Sequence, residues 1–405
     1  MSVKAAHLFS QLLREHIPRS EFDRLVRKHG AEREAKGFTC WTQLVAMLFC
    51  HLGRADSLRE ICSGLACCLG KLSHLGIRKA PNKSTLSYAN KHRPAALFED
   101  LFWSMAQRFR ANGGLGAQRK KRFRFKNKLL SLDSTTISLC LSLFPWARFR
   151  RAKGGVKVHV LLDHDDYMPS YVFMTEARRH DLVGARLLDL NPGSIVAFDR
   201  AYNDYGLFAK WTRRGVYFVT RMKSSAIYDV VETRSIPQRG NVLSDEVVRF
   251  SGVGAWEKCP YLLRRIVVWD KANEQQVVLL TNHLEFGSTT IAAIYKDRWE
   301  IEKFFKTLKQ NLHVKTFVGT SENALRIQIW TALIALLLFK WLHHLSRAAW
   351  SFSNMVTMLR LNLFTYRLLR DWLSDPYGKG DAVPDDGAGV QLELPVPGFG
   401  QPTKT

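Results

Sequence analysis

The chain is short of acid. Its 405 residues carry 36 Asp and Glu against 60 Lys and Arg, a formal net charge of +24. A surface of that sign repels cationic partners and favours a polyanion. Cysteine is sparse as well, with seven residues at positions 40, 50, 62, 67, 68, 140 and 259 and no CxxC pair. No disulfide framework or zinc-ribbon spacing emerges, and Cys62, Cys67, Cys68 and His74 are wrongly spaced for a zinc site. Buried free thiols in a reducing, intracellular compartment are the expectation. Uninterrupted apolar runs are also missing. The opening MSVKAAHLFSQLLREH lacks the long apolar core of a signal peptide. The most apolar stretch, Ile327 to Leu345, is broken by Gln328, Lys340, His343 and His344, which predicts a buried helix and no membrane partner.

What the chain does have is a change of period along its length. Residues 1–118 carry apolar residues at three- and four-residue steps, as in CWTQLVAMLFCHL, and predict an all-helical region. Pro18 and Asp56-Ser57 read as helix starts. Asn82 to Ser87 would open another helix, either as a simple cap or as the DNA-facing end of a helix-turn-helix unit. A basic run over 119–128, with Phe123 and Phe125 interleaved, is either a solvated linker or a strap that tracks phosphates.

From 129 the period becomes that of strands. LLSLDSTTISL, VKVHVLLDHDD and YMPSYVFMTEA are three β-rich runs, followed by helix and strand in alternation to residue 221. Residues 222–287 add an inserted β-rich region, 288–318 a core helix, and 319–375 further helices that are candidates for dimerisation. The tail 376–405 is rich in Pro and Gly and reads as disordered. The class is α/β, a mixed sheet flanked by helices.

The segment Ile291 to Leu312 predicts one helix with two faces. Ile294, Ile301, Phe304, Phe305, Leu308 and Leu312 form an apolar stripe, while Tyr295, Arg298, Trp299, Glu302, Lys306 and Lys309 share another. An i,i+4 pair of Arg298 with Glu302 explains two of these residues but not the rest. A lone carboxylate among cations and aromatics makes sense if Glu302 holds a metal ion while Arg298 grips a phosphate bidentately and Lys306 and Lys309 act as point charges. Tyr295 would donate its hydroxyl to a phosphate oxygen. Trp299 either packs or stacks an unpaired base.

Phosphoryl transfer with two divalent cations about 4 Å apart needs further carboxylates. Asp133 lies inside a β-rich run, where an acid is unfavourable without a task or a turn. Asp199 ends the apolar strand SIVAF, at the carboxyl end where α/β proteins expose reactive groups. Asp163, Asp165 and Asp166 lie between two strands and read as a hairpin turn.

The spacing Tyr295-x2-Arg298-x3-Glu302-x6-Lys309 resembles the YREK signature of bacterial insertion-sequence DDE transposases. LDST around Asp133 and the run Asp199, Arg200, Ala201, Tyr202 are similar to that family's first-strand and fourth-strand patterns. The resemblance implies an RNase H-like core and a helical N-terminal domain that binds terminal repeats. It also implies that Asp133, Asp199 and Glu302 bind two Mg²⁺ ions, with Mn²⁺ an acceptable substitute. Arg200, Tyr202, Tyr295, Arg298, Trp299, Lys306 and Lys309 would then face DNA. The implied partners are double-stranded DNA, as inverted terminal repeats and target, and a second copy of the chain. The implied setting is the bacterial cytoplasm at the nucleoid, and the implied reaction is cut-and-paste transposition through hairpin ends.

Overall fold

A computed structural model describes residues 6–378, apart from 34, 36, 69, 112–113, 118–121, 140–143, 145, 147, 151–152, 178–180 and 312–316. Six helices come first: α1 (Leu8–His16), α2 (Arg19–Lys28), α3 (Cys40–Leu52), α4 (Leu58–Ala66), α5 (Lys83–His92) and α6 (Ala96–Arg110). Their starts follow from local chemistry. Pro18 precedes α2, and the Thr39 and Ser57 hydroxyls cap α3 and α4 by accepting from the amides of Thr42 and Glu60. Glu60 returns the bond to the Asp56 amide at 2.8 Å.

Ten strands then form one mixed sheet: β1 (Leu129–Leu139), β2 (Arg148–Arg150), β3 (Lys153–Asp163), β4 (Pro169–Glu176), β5 (Ile195–Phe198), β6 (Tyr217–Arg221), β7 (Tyr228–Thr233), β8 (Val242–Phe250), β9 (Leu263–Asp270) and β10 (Gln275–Thr281). Interspersed are α7 (Leu182–Leu187), α8 (Tyr205–Arg213) and α9 (Ala255–Lys258). The order is β2-β3-β1-β5-β6-β10-β9-β8-β7, with β4 also paired to β3. β1, β3 and β4 are antiparallel, and β5 and β6 continue parallel to β1. This is the mixed sheet, flanked by helices, that an RNase H-like core requires. The β-rich residues after 222 do not form a separate layer. β10 pairs with β6, so they widen the same sheet.

Two helices follow the sheet, α10 (Ser288–Asp297) and α11 (Trp299–Asn311), where the sequence read one. Arg298 stands between them with helical angles (φ −50°, ψ −30°). The local step tightens to three residues, with Arg298 N to Tyr295 O at 3.2 Å and Ile301 N to Arg298 O at 3.1 Å. Because the joint stays helical, the two stripes carry across it. Ile294, Ile301, Phe304, Phe305 and Leu308 are all buried as expected, and Leu312 lies outside the described residues.

The last helices are α12 (Glu322–Leu345), α13 (Phe352–Leu361) and α14 (Leu369–Ser374). α12 packs against α3, α5 and α6. One apolar cluster unites these helices with α11 and with Val156, Val158 and Val160 of the sheet. Each fully buried aliphatic side chain there stabilises the fold by roughly 1.5–3 kcal/mol. α12 has the length and composition to cross a membrane, yet 83% of its most apolar stretch is buried in the protein, the setting of a core helix. The apolar residues of α12 are covered by the chain's own N-terminal helices, as a buried helix requires, so of the candidate dimerisation span only exposed side chains such as Leu361 and Leu368 remain free to meet a second copy. The disorder expected for 376–405 lies, beyond residue 378, outside the described residues.

Candidate active site

β1 and β5 lie side by side, parallel, with Leu129 to Leu132 in register with Ile195 to Phe198. The next residue on each is an acid. Neighbouring strands are about 4.8 Å apart, so Asp133 and Asp199 leave the sheet at the same level and on the same side. Asp199 is held at the strand end because its Oδ1 accepts from the Ala201 amide at 3.0 Å, capping a short 3₁₀ turn, Arg200–Tyr202. Asp133 Oδ1 accepts from the Ser134 amide at 2.8 Å.

α11 packs against β1 and brings Glu302 to the same place. The Arg298 guanidinium spans the gap: Nη2 donates to Glu302 Oε1 at 2.9 Å, and Nη1 lies 3.6 Å from Asp133 Oδ2. Burial pushes the Asp133 carboxyl up to about 6, and the charges of Asp199 and Glu302 push the same way, against the Ser134 amide and Arg298. Three acids 66 and 103 residues apart in the chain therefore share one electrostatic neighbourhood.

Other expected residues are placed differently. Arg298 is only 6% exposed, and its guanidinium faces the two acids rather than solvent. Tyr295 is buried with its ring 5.6 Å from that guanidinium. Burial raises its hydroxyl pKa, with a contribution from Asp199. Tyr202, expected at DNA, is 1% exposed and packs its ring on Phe198, because the tight 3₁₀ turn sends Arg200 outward and Tyr202 inward. Trp299 is 55% exposed beside the site, so packing does not account for it. Lys306 is exposed and Lys309 half-buried, one and two turns beyond Glu302.

Some residues escaped the sequence reading. Asp297 accepts from Arg122 and binds His164 Nδ1 at 2.8 Å, and His164 Nε2 meets Ser131 Oγ at 2.7 Å. This chain of bonds ties the basic run, the β3–β4 turn and β1 to the α10–α11 joint. Ser131, a serine in a Ser-His-Asp row, is wholly buried and open to no substrate. On the other side of β1, Ser134 Oγ donates to Asp181 Oδ1 at 2.7 Å, and Lys157 reaches the same oxygen at 3.1 Å. The turn acids are ion-paired as structural groups, Asp163 and Asp165 sharing Lys128 and Asp166 meeting Arg110. Phe125 stacks on Phe123 and on Phe286, and these rings pack against the core of the sheet while Arg124 and Lys126 stay exposed.

Among the described residues, no three His, Cys, Asp or Glu side chains are arranged to hold a metal ion as they stand. The donor chemistry nevertheless fits a hard divalent cation: three carboxylates, one of them short of positive charge. Beside them the Tyr202 hydroxyl is buried next to Ser134, near Asp133, Asp181 and Asp199.

Residues 124–338 match the family model of the transposase DDE domain, a span that holds Asp133, Asp199 and Glu302 and just over half the chain. The chain belongs to the DDE transposase family. Residues 4–78 match a separate family described as a domain of unknown function. A putative transposase of Sinorhizobium fredii is 34% identical over 272 residues, covering 66% of this chain and 73% of that one. A probable transposase for an insertion sequence element of Geobacillus stearothermophilus is 30% identical over 259 residues, 64% of this chain and 68% of that one. A putative insertion-sequence transposase of Synechocystis is 25% identical over 266 residues, 64% of this chain and 70% of its own. The family is one of enzymes acting on DNA, which agrees with the basic charge.

Proposed function

We propose that this chain is the transposase of an insertion sequence, cutting the element's ends by metal-dependent phosphodiester hydrolysis and joining the freed 3′ hydroxyls to target DNA, by cut-and-paste through hairpin ends. The observation that carries the reading is the register of β1 with β5, which sets Asp133 beside Asp199 within reach of the helix bearing Glu302. Asp133, Asp199 and Glu302 would hold two Mg²⁺ ions, or Mn²⁺ in their place. Bound divalent ions activate the attacking oxygen and stabilise the leaving one. The chain's own part is positional. Asp199 is fixed by its cap, and Asp133 by the Ser134 amide. Arg200, Trp299, Lys306 and Lys309 sit around the acids as candidates for the phosphate backbone and a displaced base.

The helical region 1–118 would bind the terminal repeats, with the start of α5 at Asn82 to Ser87 as its DNA-facing element. Asn82, Lys83, Ser84 and Ser87 are exposed there. Joining two ends implies two copies in the DNA complex.

A second reading is a DNA-binding regulator descended from an inactive transposase. It draws support from Arg298, whose guanidinium now stands between two of the acids. The test incubates the protein and Mg²⁺ with duplexes that carry the inverted repeats flanking its gene. Cleaved ends and joined strand-transfer products are expected. A mobility shift with intact DNA would establish the regulator, and cleavage without joined products would establish a stand-alone nuclease. Affinity for the repeats should fall steeply with salt, about tenfold or more between 50 and 200 mM, since each released counterion adds to the slope.

A further inference from the structure

Two buried arginines in this chain are held in different ways. Arg264 meets Asp245 fork to fork, Nε to Oδ1 at 2.7 Å and Nη2 to Oδ2 at 2.6 Å. Its Nη1 donates to the carbonyls of Leu284 and Phe286. Every nitrogen of that guanidinium is used, as a permanent buried pair requires. Arg298 is as deeply placed but poorly served. Among the described residues it donates to Glu302 at 2.9 Å, lies in a longer ion pair with Asp133 at 3.6 Å and meets the Tyr295 side chain. Its Nε is buried with no partner among the described residues.

A buried donor left unmet costs about 1–3 kcal/mol, so Arg298 is held less fully than Arg264. The acids around Arg298 are also more than one guanidinium can neutralise. Glu302 and Asp133 are ion-paired to Arg298, and Asp199 adds its charge to the same neighbourhood.

We propose that Arg298 is the resident counterion of the site, holding Asp133 and Glu302 together before divalent cations bind and competing with those cations for the same carboxylates. The proposal rests on the metal-centre reading given above. The competition keeps the acids gathered without metal and sets a threshold for loading. It also releases a guanidinium next to the bound DNA at the moment the site fills. This role differs from a permanent structural pair and from a plain phosphate clamp.

The test compares the full-length wild type with Arg298→Gln and Arg298→Lys, titrating Mn²⁺ by calorimetry without DNA. Removing the charge should tighten Mn²⁺ binding about tenfold or more, as expected for deleting a unit charge a few ångströms away at intermediate dielectric. Arg298→Lys keeps the charge and should stay within about threefold of the wild type on the same grounds. A second measurement needs no variant. An arginine-directed dicarbonyl reagent, read by mass spectrometry, should label wild-type Arg298 severalfold faster with Mn²⁺ than in chelator, while Arg264 stays unchanged.

Mn²⁺ affinity unchanged or weakened in Arg298→Gln, with the wild type binding normally, would overturn the counterion role and leave the metal centre standing. So would labelling of Arg298 that is equal or slower with Mn²⁺. If neither wild type nor variant binds Mn²⁺, both readings fall together.

Discussion

Asp245, buried, and Asp133, half-buried, both meet an arginine, and the protein treats them in opposite ways. Asp245 is 2% exposed at its side chain and receives both prongs of a guanidinium that is itself 5% exposed. Asp133 is 21% exposed, shares one arginine with Glu302, and is left with its carboxyl pushed up to about 6, first by burial. Asp297 extends the contrast, for His164 and Arg122 outweigh burial there and hold its carboxyl below the usual range. The difference separates acids that hold the fold from acids that await something. Asp245 and Asp297 are compensated within the chain, whereas Asp133 is left in deficit, which suits a carboxylate that binds a ligand.

The contrast can be broken most strongly at Asp245. Asp245→Asn strands the buried Arg264 charge and should cost about 3–5 kcal/mol in urea unfolding. A loss under 1 kcal/mol would show that the pair is not the structural anchor described.

Asp133→Asn should do the reverse. Because the folded-state pKa lies above that of the unfolded chain, the native state binds the extra proton between about pH 4 and 6, and stability falls as pH rises through that window. Above it the ionised carboxylate destabilises the fold by on the order of 2 kcal/mol. The asparagine variant should therefore melt higher than the wild type at pH 7.5 and alongside it near pH 4. Equal melting at both values would remove the deficit. Asp297, with the opposite shift, supplies stability that is lost as pH falls into the acid range, so Asp297→Asn should be the weaker protein at pH 7.5 and converge with the wild type in acid.

The smallest effect belongs to the turn. Asp165 is half-exposed and paired to an exposed lysine, so Asp165→Asn should change stability by less than about 1 kcal/mol. It should leave end cleavage at the wild-type rate. A large loss of cleavage would mean that the turn acids belong to the site after all.

Much of this was legible in the sequence because it is carried by period. β1 was delimited correctly by alternation and by the turn chemistry on either side. The apolar stripe of α10 and α11 survived a joint that no pattern reveals, since Arg298 keeps helical angles. Groups whose setting depends on distant chain were not legible. Nothing local ties His164 to Asp297, 133 residues away. Nor does local pattern show that Tyr202 turns inward while Arg200 two residues before it stays out. The β-rich character of the insert is legible, but the pairing of β6 with β10 that joins it to the sheet is a long-range event, visible only once the sheet is assembled. The burial of α12 is legible from its apolar run, but the surfaces that cover it, contributed by α3, α5 and α6, are not.

The most direct measurement is single-turnover cleavage of terminal-repeat duplex by Asp133→Asn, Asp199→Asn and Glu302→Gln, with equilibrium binding of the same duplex measured in parallel. All three variants should bind the duplex within a few-fold of wild type and cleave it at least about a thousandfold more slowly, as expected when a group acting in the transition state is removed. Near-normal cleavage by any one of them would contradict the assignment of these three acids as the reactive centre.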